Sequence, residues 1–146
     1  MIEIKIIPKE NILTIIPLLR QLNTKTPDDL LKSRVLETAS QNYECAGMYL
    51  YGKLIGIYGI WYMTRHYIGK SSEIDHVVID KNIQSKGYGH DFMVWISKYL
   101  KSKGVEANEL NAYVENKRSH KFYKNESYKI YGYHFLKILR EDNEFY

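Results

Sequence analysis

The sequence has little cysteine, proline and phenylalanine, and it has no long hydrophobic run. Its 146 residues include one cysteine, three prolines and four phenylalanines, against 14 tyrosines. With Cys45 alone, the chain forms no internal disulfide and no cysteine-based zinc site. No segment approaches the roughly 18–20 consecutive apolar residues that a membrane span requires. We expect Cys45 to be a small buried hydrophobe.

The start of the chain and its composition predict a folded, cytoplasmic protein of one domain. No long apolar region and no small-residue cleavage site follow Met1, so we predict no signal peptide and a cytoplasmic location. Hydrophobic residues make up 45% and charged residues 26%, which excludes disordered and coiled-coil chains. Because no linker or repeat interrupts residues 1–146, we predict a single domain. The net charge of +4 suits an anionic ligand better than a dedicated nucleic-acid surface.

The spacing of apolar residues predicts a mixed α/β chain in the order β-α-α-β-β-β-α-β-α-β. Alternation predicts strands, and recurrence every three or four residues predicts helices. The strand–helix–strand unit at 73–115 favours parallel pairing, and the earlier strands favour antiparallel pairing. Gly69 to Ser72 is predicted to be a turn. The predicted strands cover residues 2–7, 44–51, 54–67, 73–80, 109–114 and 128–139, and the predicted helices cover 10–22, 27–40, 89–103 and 117–125.

The loop between residues 80 and 90 carries the most information. A predicted strand leads into Gln84 to Gly89, where two glycines stand at the start of a helix. The first N–H groups of a helix lack internal partners and lie at the positive end of its dipole. Glycines let such amides approach an anion closely, so the loop suits a pyrophosphate, and Lys86 adds positive charge. By itself the pattern is equally typical of a tight strand-to-helix turn.

Two other phosphate-binding loops are excluded by position. A Rossmann fingerprint needs a third glycine three residues after Gly89, where the chain has Phe92. A P-loop needs a glycine five residues before the Gly-Lys-Ser sequence at 69–71, where the chain has Thr64. The pattern Q/R-x-x-G-x-G/A remains, and residues 84–89 meet it in full.

Two motifs about 30 residues apart carry a family resemblance. The first is Val77-x-Ile79 followed by the 84–89 loop. The second is segment 116–128, which reads N-x-x-S-x-x-F-Y-x-x-x-S-Y. Together they resemble the acyl-CoA-binding core of the GNAT superfamily of N-acetyltransferases. The resemblance implies a GNAT-like acyl-CoA N-acyltransferase fold of the α+β class. Its mostly antiparallel sheet would have six or seven strands with splayed central strands, and it would have about four helices.

The resemblance implies where acetyl-CoA would bind as the cosubstrate. The main chain of the central strand would pair with the pantetheine arm, and the loop amides would hold the pyrophosphate. No metal is implied, since the histidines lack metal-ligand spacing. The implied cofactor-binding residues are Val77, Val78, Ile79, Gln84, Ser85, Lys86, Gly87, Tyr88, Gly89, His90, Asn116, Ser119 and Tyr123.

The implied reaction is direct attack of a primary amine on the thioester in a ternary complex. Tyr123 matches the tyrosine that protonates the departing thiolate, and a backbone N–H near Val78 would polarise the carbonyl. Glu73 and Asp75 are the candidate bases, and strict alternation puts them on one side of the strand with His76 opposite. The residues alone also allow Tyr123 to be a packing tyrosine and both carboxylates to be solvated groups at a strand end.

The second motif departs from the family pattern. Ser119 replaces a small alanine, Ser127 replaces a glycine and Tyr128 replaces a phenylalanine. The glycine usually takes a left-handed conformation that ends the helix, so we expect strain at Ser127 or a turn shifted by one residue.

The sequence leaves the acceptor and some alternatives open. In the family, the first two helices and the last hairpin select the acceptor, here an amine-bearing small molecule or peptide. Asp28 and Asp29 would attract a cationic amine or would simply stabilise a helix start.

The cations of residues 117–124 suit the 3′-phosphate of CoA better than nucleic acid. A non-catalytic acyl-CoA sensor of the same fold is the alternative function. The aromatic run that would line a pocket or a homodimer face is Tyr128, Tyr131, Tyr133 and Phe135.

Overall fold

The computed structural model describes residues 1–84 and 86–145. The chain divides into two compact units, Met1–Leu110 and Asn111–Tyr146. Within the described ranges, the first unit carries five strands and three α-helices, and the second carries one α-helix. No helix in these ranges is both long and apolar enough to cross a bilayer. The elements are β1 (Ile2–Ile6), a 3-10 helix (Lys9–Ile15), α1 (Ile16–Leu22), α2 (Asp28–Ala39), β2 (Tyr43–Leu50), β3 (Lys53–Arg65), β4 (Gly69–Ile79), a 3-10 turn (Lys81–Ile83), α3 (Tyr88–Ser102), β5 (Ala107–Leu110) and α4 (Lys117–Asn125).

The strands of the first unit form one sheet in the order β1-β2-β3-β4-β5. Neighbours from β1 to β4 pair antiparallel, whereas β4 and β5 pair parallel. This confirms the predicted mixed, mostly antiparallel sheet. The predicted count of six or seven strands is too high, because the described part of the chain contributes five. β5 is also shorter than predicted, since it ends at Leu110.

Helices pack on the sheet because apolar residues recur on one side of each helix and on alternate positions of each strand. Ile57 and Cys45 belong to the cluster formed with the 3-10 helix, α1 and α2. Tyr58 follows Ile57 and points to the opposite face, where its ring lies 5.8 Å from that of Phe92 on α3. Cys45 is buried, as predicted, and burial raises the pKa of its thiol to about 12. The helix residues in the first cluster are Ile12, Ile15, Leu18, Leu31, Val35 and Ala39.

The hairpin between β3 and β4 turns earlier than predicted. The predicted turn at Gly69 to Ser72 is wrong, since β4 begins at Gly69 and the turn occupies residues 66–68. Ser71 and Ser72 are buried within the strand. Asn108 Nδ2 on β5 donates a hydrogen bond of 2.7 Å to the hydroxyl of Ser72. Small polar residues are typical of turns, but here the neighbouring strand satisfies Ser72, and the Ser71 hydroxyl donates to the carbonyl of Gly69 at 3.3 Å.

In the second unit, α4 has the predicted bounds and ends at a residue in an unfavourable conformation. The side chain of Asn116 caps the helix, because its Oδ1 accepts a hydrogen bond of 3.1 Å from the N–H of Ser119. After the helix, Ser127 has a φ of +72°. The N–H of Tyr128 then donates to the carbonyl of Tyr123 at 3.0 Å, which closes the helix end. Ser127 therefore holds the left-handed conformation that favours glycine.

Residues 128–139 do not form the predicted strand. Their aromatic residues alternate as in a strand, but the sheet does not include this segment. Most of its large apolar side chains are exposed. Alternating aromatic residues show that a segment favours the strand conformation. A strand in a sheet also requires a hydrogen-bonded neighbour.

Replacing Ser127 by glycine should stabilise the second unit. A non-glycine residue at positive φ costs about 1–2 kcal/mol, and the added freedom of glycine in the unfolded chain offsets part of the gain. We expect Ser127→Gly to raise the free energy of unfolding by about 0.5–1 kcal/mol, measured by urea denaturation. As the control, Ser40→Gly changes a helix-end serine with a φ of −81° and should give no gain. Equal effects in the two variants would contradict the strain at Ser127.

Candidate active site

The central strand β4 contains an extra residue. Gly59 of β3 pairs with His76, but the next residue, Ile60, pairs with Ile74. Asp75 therefore has no opposite residue and forms a β-bulge. Bulges redirect side chains and are common beside active sites.

The bulge places Glu73 and His76 on the same face of the sheet. Their partners on β3 are Trp61 and Gly59, which are two residues apart and so share a face. The prediction that His76 lies opposite the carboxylates is therefore wrong. Strict alternation cannot anticipate an inserted residue, so the sequence carried no signal for this reversal.

A buried polar pair lies beside the bulge. Tyr43 Oη and His76 Nε2 are hydrogen-bonded at 2.9 Å, and both side chains are buried. A Cβ on Gly59 would lie 2.5 Å from His76 Nε2 and 2.8 Å from Tyr43 Oη, so glycine leaves the room that this pair needs. Within the described chain, the buried Nδ1 of His76 has no hydrogen-bond partner.

The surroundings of the pair favour neutral side chains. Burial lowers the pKa of His76, although the carboxylate of Asp75, 3.8 Å from Nε2, opposes that shift. Burial also raises the pKa of Tyr43 far above its ordinary value. The neutral imidazole and the protonated phenol thus remain hydrogen-bonded at physiological pH.

The two candidate bases lie in different surroundings on β4. Glu73 is half-buried, whereas Asp75 is exposed. Trp61 Nε1 donates a hydrogen bond of 3.1 Å to Asp75 Oδ1, which fixes that carboxylate. Tyr43 packs edge-on against Trp61 with ring centroids 5.2 Å apart. Beside the predicted Glu73 and Asp75, the face thus includes Tyr43 and Trp61, which sequence reasoning did not select.

The loop after β4 is held by hydrogen bonds within the loop and by one to α1. Asp80 Oδ1 accepts from the N–H of Asn82 at 3.1 Å, and this bond lowers the pKa of Asp80. Gln21 of α1 accepts from the N–H of Lys81 at 3.0 Å. Gln84 Nε2 donates to the carbonyl of Ile79 at 2.9 Å. The side chain of Gln84 therefore shapes the loop.

The N-terminus of α3 presents an open group of amides. Gly87 precedes the helix with a φ of +81°, and apart from its chain neighbours no described residue has an atom within 4 Å of the position that its Cβ would take. The first intrahelical bond runs from the N–H of Asp91 to the carbonyl of Gly87. The N–H groups of Tyr88 and Gly89 come before this first donor in the chain, so they have no acceptor within the helix. Of the predicted loop residues, Ser85 lies outside the described residues, and Lys86 is exposed.

β4 extends beyond its pairing with β5. Residues Ser71 to Ile74 pair with β5, whereas β4 continues to Ile79. The main chain of the predicted cofactor-binding residues Val77 to Ile79 therefore belongs to a part of β4 that β5 does not pair. An extended chain can add to such an edge by main-chain hydrogen bonds.

The predicted residues of the second unit lie on α4 or next to it. Asn116 and Ser119 are engaged in the helix cap described above. Tyr123 packs against Phe122 and Tyr128 with ring centroids 5.3 and 5.7 Å away. Burial raises the pKa of Tyr123, so its phenol stays protonated at neutral pH.

Comparisons with known proteins agree with this fold. Residues 15–126 match the model of the Acetyltransferase (GNAT) family, so the chain belongs to the GNAT acetyltransferase family. A comparison with curated proteins finds no match.

Three solved structures of acetyltransferases show this fold. The ribosomal-protein-alanine N-acetyltransferase from Brucella melitensis biovar Abortus 2308 is 16% identical, with a TM-score of 0.78 over 92% of this chain and 96% of that one. The aminoglycoside acetyltransferase meta-AAC0020 from an uncultured soil metagenomic sample is 18% identical, with a TM-score of 0.79 over 95% and 97%. AAC(6')-Iy, in complex with a CoA bisubstrate analogue, is 14% identical, with a TM-score of 0.82 over 96% and 99%.

The buried His76 should make the stability of the protein depend on pH. Its folded pKa lies below the unfolded value of about 6.5, so the unfolded chain binds a proton that the folded chain does not. Stability is therefore fully present above about pH 6.5 and is lost as the pH falls below it. Between pH 7.5 and 5.5 we expect a loss of about 1 kcal/mol from this group.

Urea denaturation at the two pH values checks this expectation. The pH-linked loss should shrink in His76→Gln and persist in the control His134→Gln, which changes an exposed histidine. The same loss in wild type and in His76→Gln would remove His76 as its source.

Proposed function

We propose that this protein is an acetyl-CoA-dependent N-acetyltransferase that acetylates a primary amine by direct attack in a ternary complex. The observation that carries the proposal is the loop between β4 and α3. Its left-handed Gly87, the first amides of α3, which lack an acceptor within the helix, and the cationic Lys86 suit a pyrophosphate group. Because the chain belongs to the GNAT acetyltransferase family, acetyl-CoA is the expected ligand of this loop.

The residues of the first unit fit an elongated, anionic cosubstrate. Gly87 leaves open space beside the amides of Tyr88 and Gly89, where a Cβ would narrow the approach. The main chain of Val77 to Ile79 would pair with the amides of the pantetheine arm. When bound, acetyl-CoA supplies a thioester whose acetyl group accepts the amine. The N–H near Val78 would donate to the carbonyl oxygen as negative charge develops there.

The proton of the amine needs an acceptor before or during attack. We propose Glu73 for this role, because it is half-buried on the face that also holds Trp61 and the Tyr43–His76 pair. Asp75, whose Oδ1 accepts a hydrogen bond from the N–H of Trp61, is exposed and is the second candidate. The opposite task, protonation of the departing thiolate, falls to Tyr123, whose raised pKa keeps the proton on the phenol.

The acceptor is proposed only as an amine-bearing small molecule or peptide. The structures with similar folds are titled as acetyltransferases of aminoglycosides and of a ribosomal protein, which are different acceptors. An open depression of about 470 Å³ lies at the α1–α2 connection. Its Asp28 is ion-paired with Arg20, which partly neutralises the charge that would attract a cation. We therefore favour an acceptor screen over any single substrate. We also propose that the protein is cytoplasmic and forms a homodimer.

Acetyl-CoA binding and thiol release test the proposal together. Calorimetry should detect acetyl-CoA binding, and free thiol should appear with at least one amine from a panel of polyamines, amino acids, aminoglycosides and peptides. Binding without thiol release across the panel would favour the non-catalytic sensor. Absence of binding would overturn both functions.

Gly87→Ala should weaken acetyl-CoA binding. Alanine at a φ of +81° is strained by roughly 1 kcal/mol, and relief of that strain moves the amides of the loop. We expect calorimetry to give a dissociation constant at least about tenfold higher, which corresponds to about 1.4 kcal/mol. Gly52→Ala is a matched control, because Gly52 has a φ of +79° and equally open space in the β2–β3 turn. Equal affinities in the two variants would remove the loop from the binding site.

Tyr123→Phe should slow turnover more than it weakens acetyl-CoA binding. Loss of a general acid typically lowers the rate by about 10²–10⁴-fold, which the thiol-release assay measures directly. The hydroxyl is removed but the ring stays, so packing against Phe122 and Tyr128 persists. Tyr113→Phe, which removes the hydroxyl of an exposed tyrosine, is the control and should keep wild-type turnover. Unchanged turnover in Tyr123→Phe would show that another group donates the proton.

A further inference from the structure

Trp61 lies in a row of residues that crosses the sheet on the face with the proposed base. Its register partner on β2 is Tyr43 and its partner on β4 is Glu73, which is in turn paired with Glu109 on β5. Directly paired residues point to the same face, and in antiparallel strands their Cβ atoms are about 4.5–5.5 Å apart. Tyr43 is buried, whereas the other three residues are half-buried. An aromatic ring and a carboxylate therefore stand side by side at the border of the covered part of this face.

The ring of Trp61 is held in place by its neighbours. Its Nε1 donates a hydrogen bond of 3.1 Å to Asp75 Oδ1, and Tyr43 packs edge-on against it with ring centroids 5.2 Å apart. The ring also packs against the cluster formed with the 3-10 helix, α1 and α2. A side chain that is already ordered loses little freedom when a ligand binds. Trp61 is therefore a fixed, partly exposed aromatic surface.

The charges near this surface favour a cation. Asp75 is bound to the indole N–H, and Glu73 is the register partner of Trp61. Arg65 lies on the same face of β3 and is ion-paired with Glu109, so three carboxylates outweigh its single charge. A carboxylate that accepts from the indole N–H also polarises the ring. Tryptophan is the side chain whose face binds a cation best.

We propose that Trp61 is a specificity-determining residue that selects acceptors with a second cationic group, as in aliphatic diamines. The reacting amine lies at Glu73, and the second ammonium group lies against the face of the Trp61 ring. A short alkyl chain joins the two positions, because Trp61 and Glu73 are direct neighbours on adjacent strands. This inference rests on the proposed function, since that function places the acceptor amine at Glu73. An amine of the same length with one charge lacks the contact with Trp61.

Calorimetry with a matched pair of amines tests this selection. The amines 1,4-diaminobutane and 1-aminobutane have the same carbon chain and differ in the second ammonium group. The full chain is titrated with each amine in the presence of CoA, which has no acetyl group to transfer. We expect the diamine to bind about tenfold more tightly than the monoamine. Equal affinities of the wild-type chain for the two amines would overturn the proposal.

Substitutions of the two tryptophans test whether Trp61 is the source of the preference. Trp61→Leu keeps an apolar side chain without a ring and should reduce the preference to about twofold or less, whereas Trp61→Phe keeps a weaker ring and should give an intermediate value. Trp95→Leu is the matched control, because Trp95 is half-buried and stacked on Tyr99 of α3 with ring centroids 5.1 Å apart. It should show the wild-type preference. A full preference in either Trp61 variant contradicts the proposal, and Trp61→Phe keeps the test valid if Trp61→Leu does not fold.

Failure of this inference can be told apart from failure of the proposed function, because amine binding is measured without turnover. A chain that binds both amines equally and releases thiol with both would be an acetyltransferase without this selection. A chain that prefers the diamine in calorimetry and releases no thiol would keep Trp61 as a recognition residue but would lack the proposed transfer.

Discussion

The register between β3 and β4 determines which side chains meet in the first unit. On either side of the bulge the two strands pair residue for residue, and between Gly59 and Ile60 β4 gains one residue. That single residue brings His76 to the face that already carries Glu73. Without it, His76 would point to the face covered by α3. The polar pair of His76 and Tyr43, and its contact with Asp75, therefore depend on the bulge.

The buried pair explains why glycine stands opposite the bulge. Any side chain at Gly59 would meet both the imidazole and the phenol. Burial then keeps the two groups uncharged, so they hydrogen-bond without the large cost of a buried charge. The pair is therefore a neutral, hydrogen-bonded group on the sheet face that also carries Glu73, the residue proposed above as the base.

The excess of tyrosine over phenylalanine has a related physical reason. Tyr62 and Tyr99 both donate to Glu44 Oε1, at 2.7 and 2.8 Å. Tyr58, fully buried, donates to Asn108 at 3.3 Å. In each case the ring packs within the fold and the hydroxyl donates to a polar side chain. Phenylalanine would fill the same space but would remove one hydrogen bond from Glu44 or Asn108, so part of the tyrosine excess serves the interior of the fold.

The sequence predicted most of the fold and only part of the site, for reasons that differ by residue. The sequence predicted α2 and α4 within about a residue, because the residues at which they begin, next to Pro27 and to the capping Asn116, are adjacent to the helices in the chain. Ser71 and Ser72 were predicted to be a turn, because the Asn108 that satisfies Ser72 lies 36 residues away in sequence. The position of His76 could not be predicted, since a bulge is a property of two strands. The 128–139 segment has strand alternation, but no alternation identifies the partner strand.

Low sequence identity to proteins of the same fold is consistent with the way the candidate cofactor site is built. At the β4–α3 loop the groups offered to an anion are main-chain amides, which every residue except proline supplies. Only Gly87, with its positive φ, restricts the residue type strongly. Main-chain groups are also what the part of β4 beyond its pairing with β5 would offer to the cosubstrate. A site of this kind tolerates extensive substitution while its backbone is maintained, which is consistent with a shared fold at 14–18% identity. The acceptor must instead be recognised by side chains, and side chains at this identity differ at most positions. The chemistry of the acceptor therefore has to be found by experiment, whereas that of the cosubstrate can be argued from the backbone.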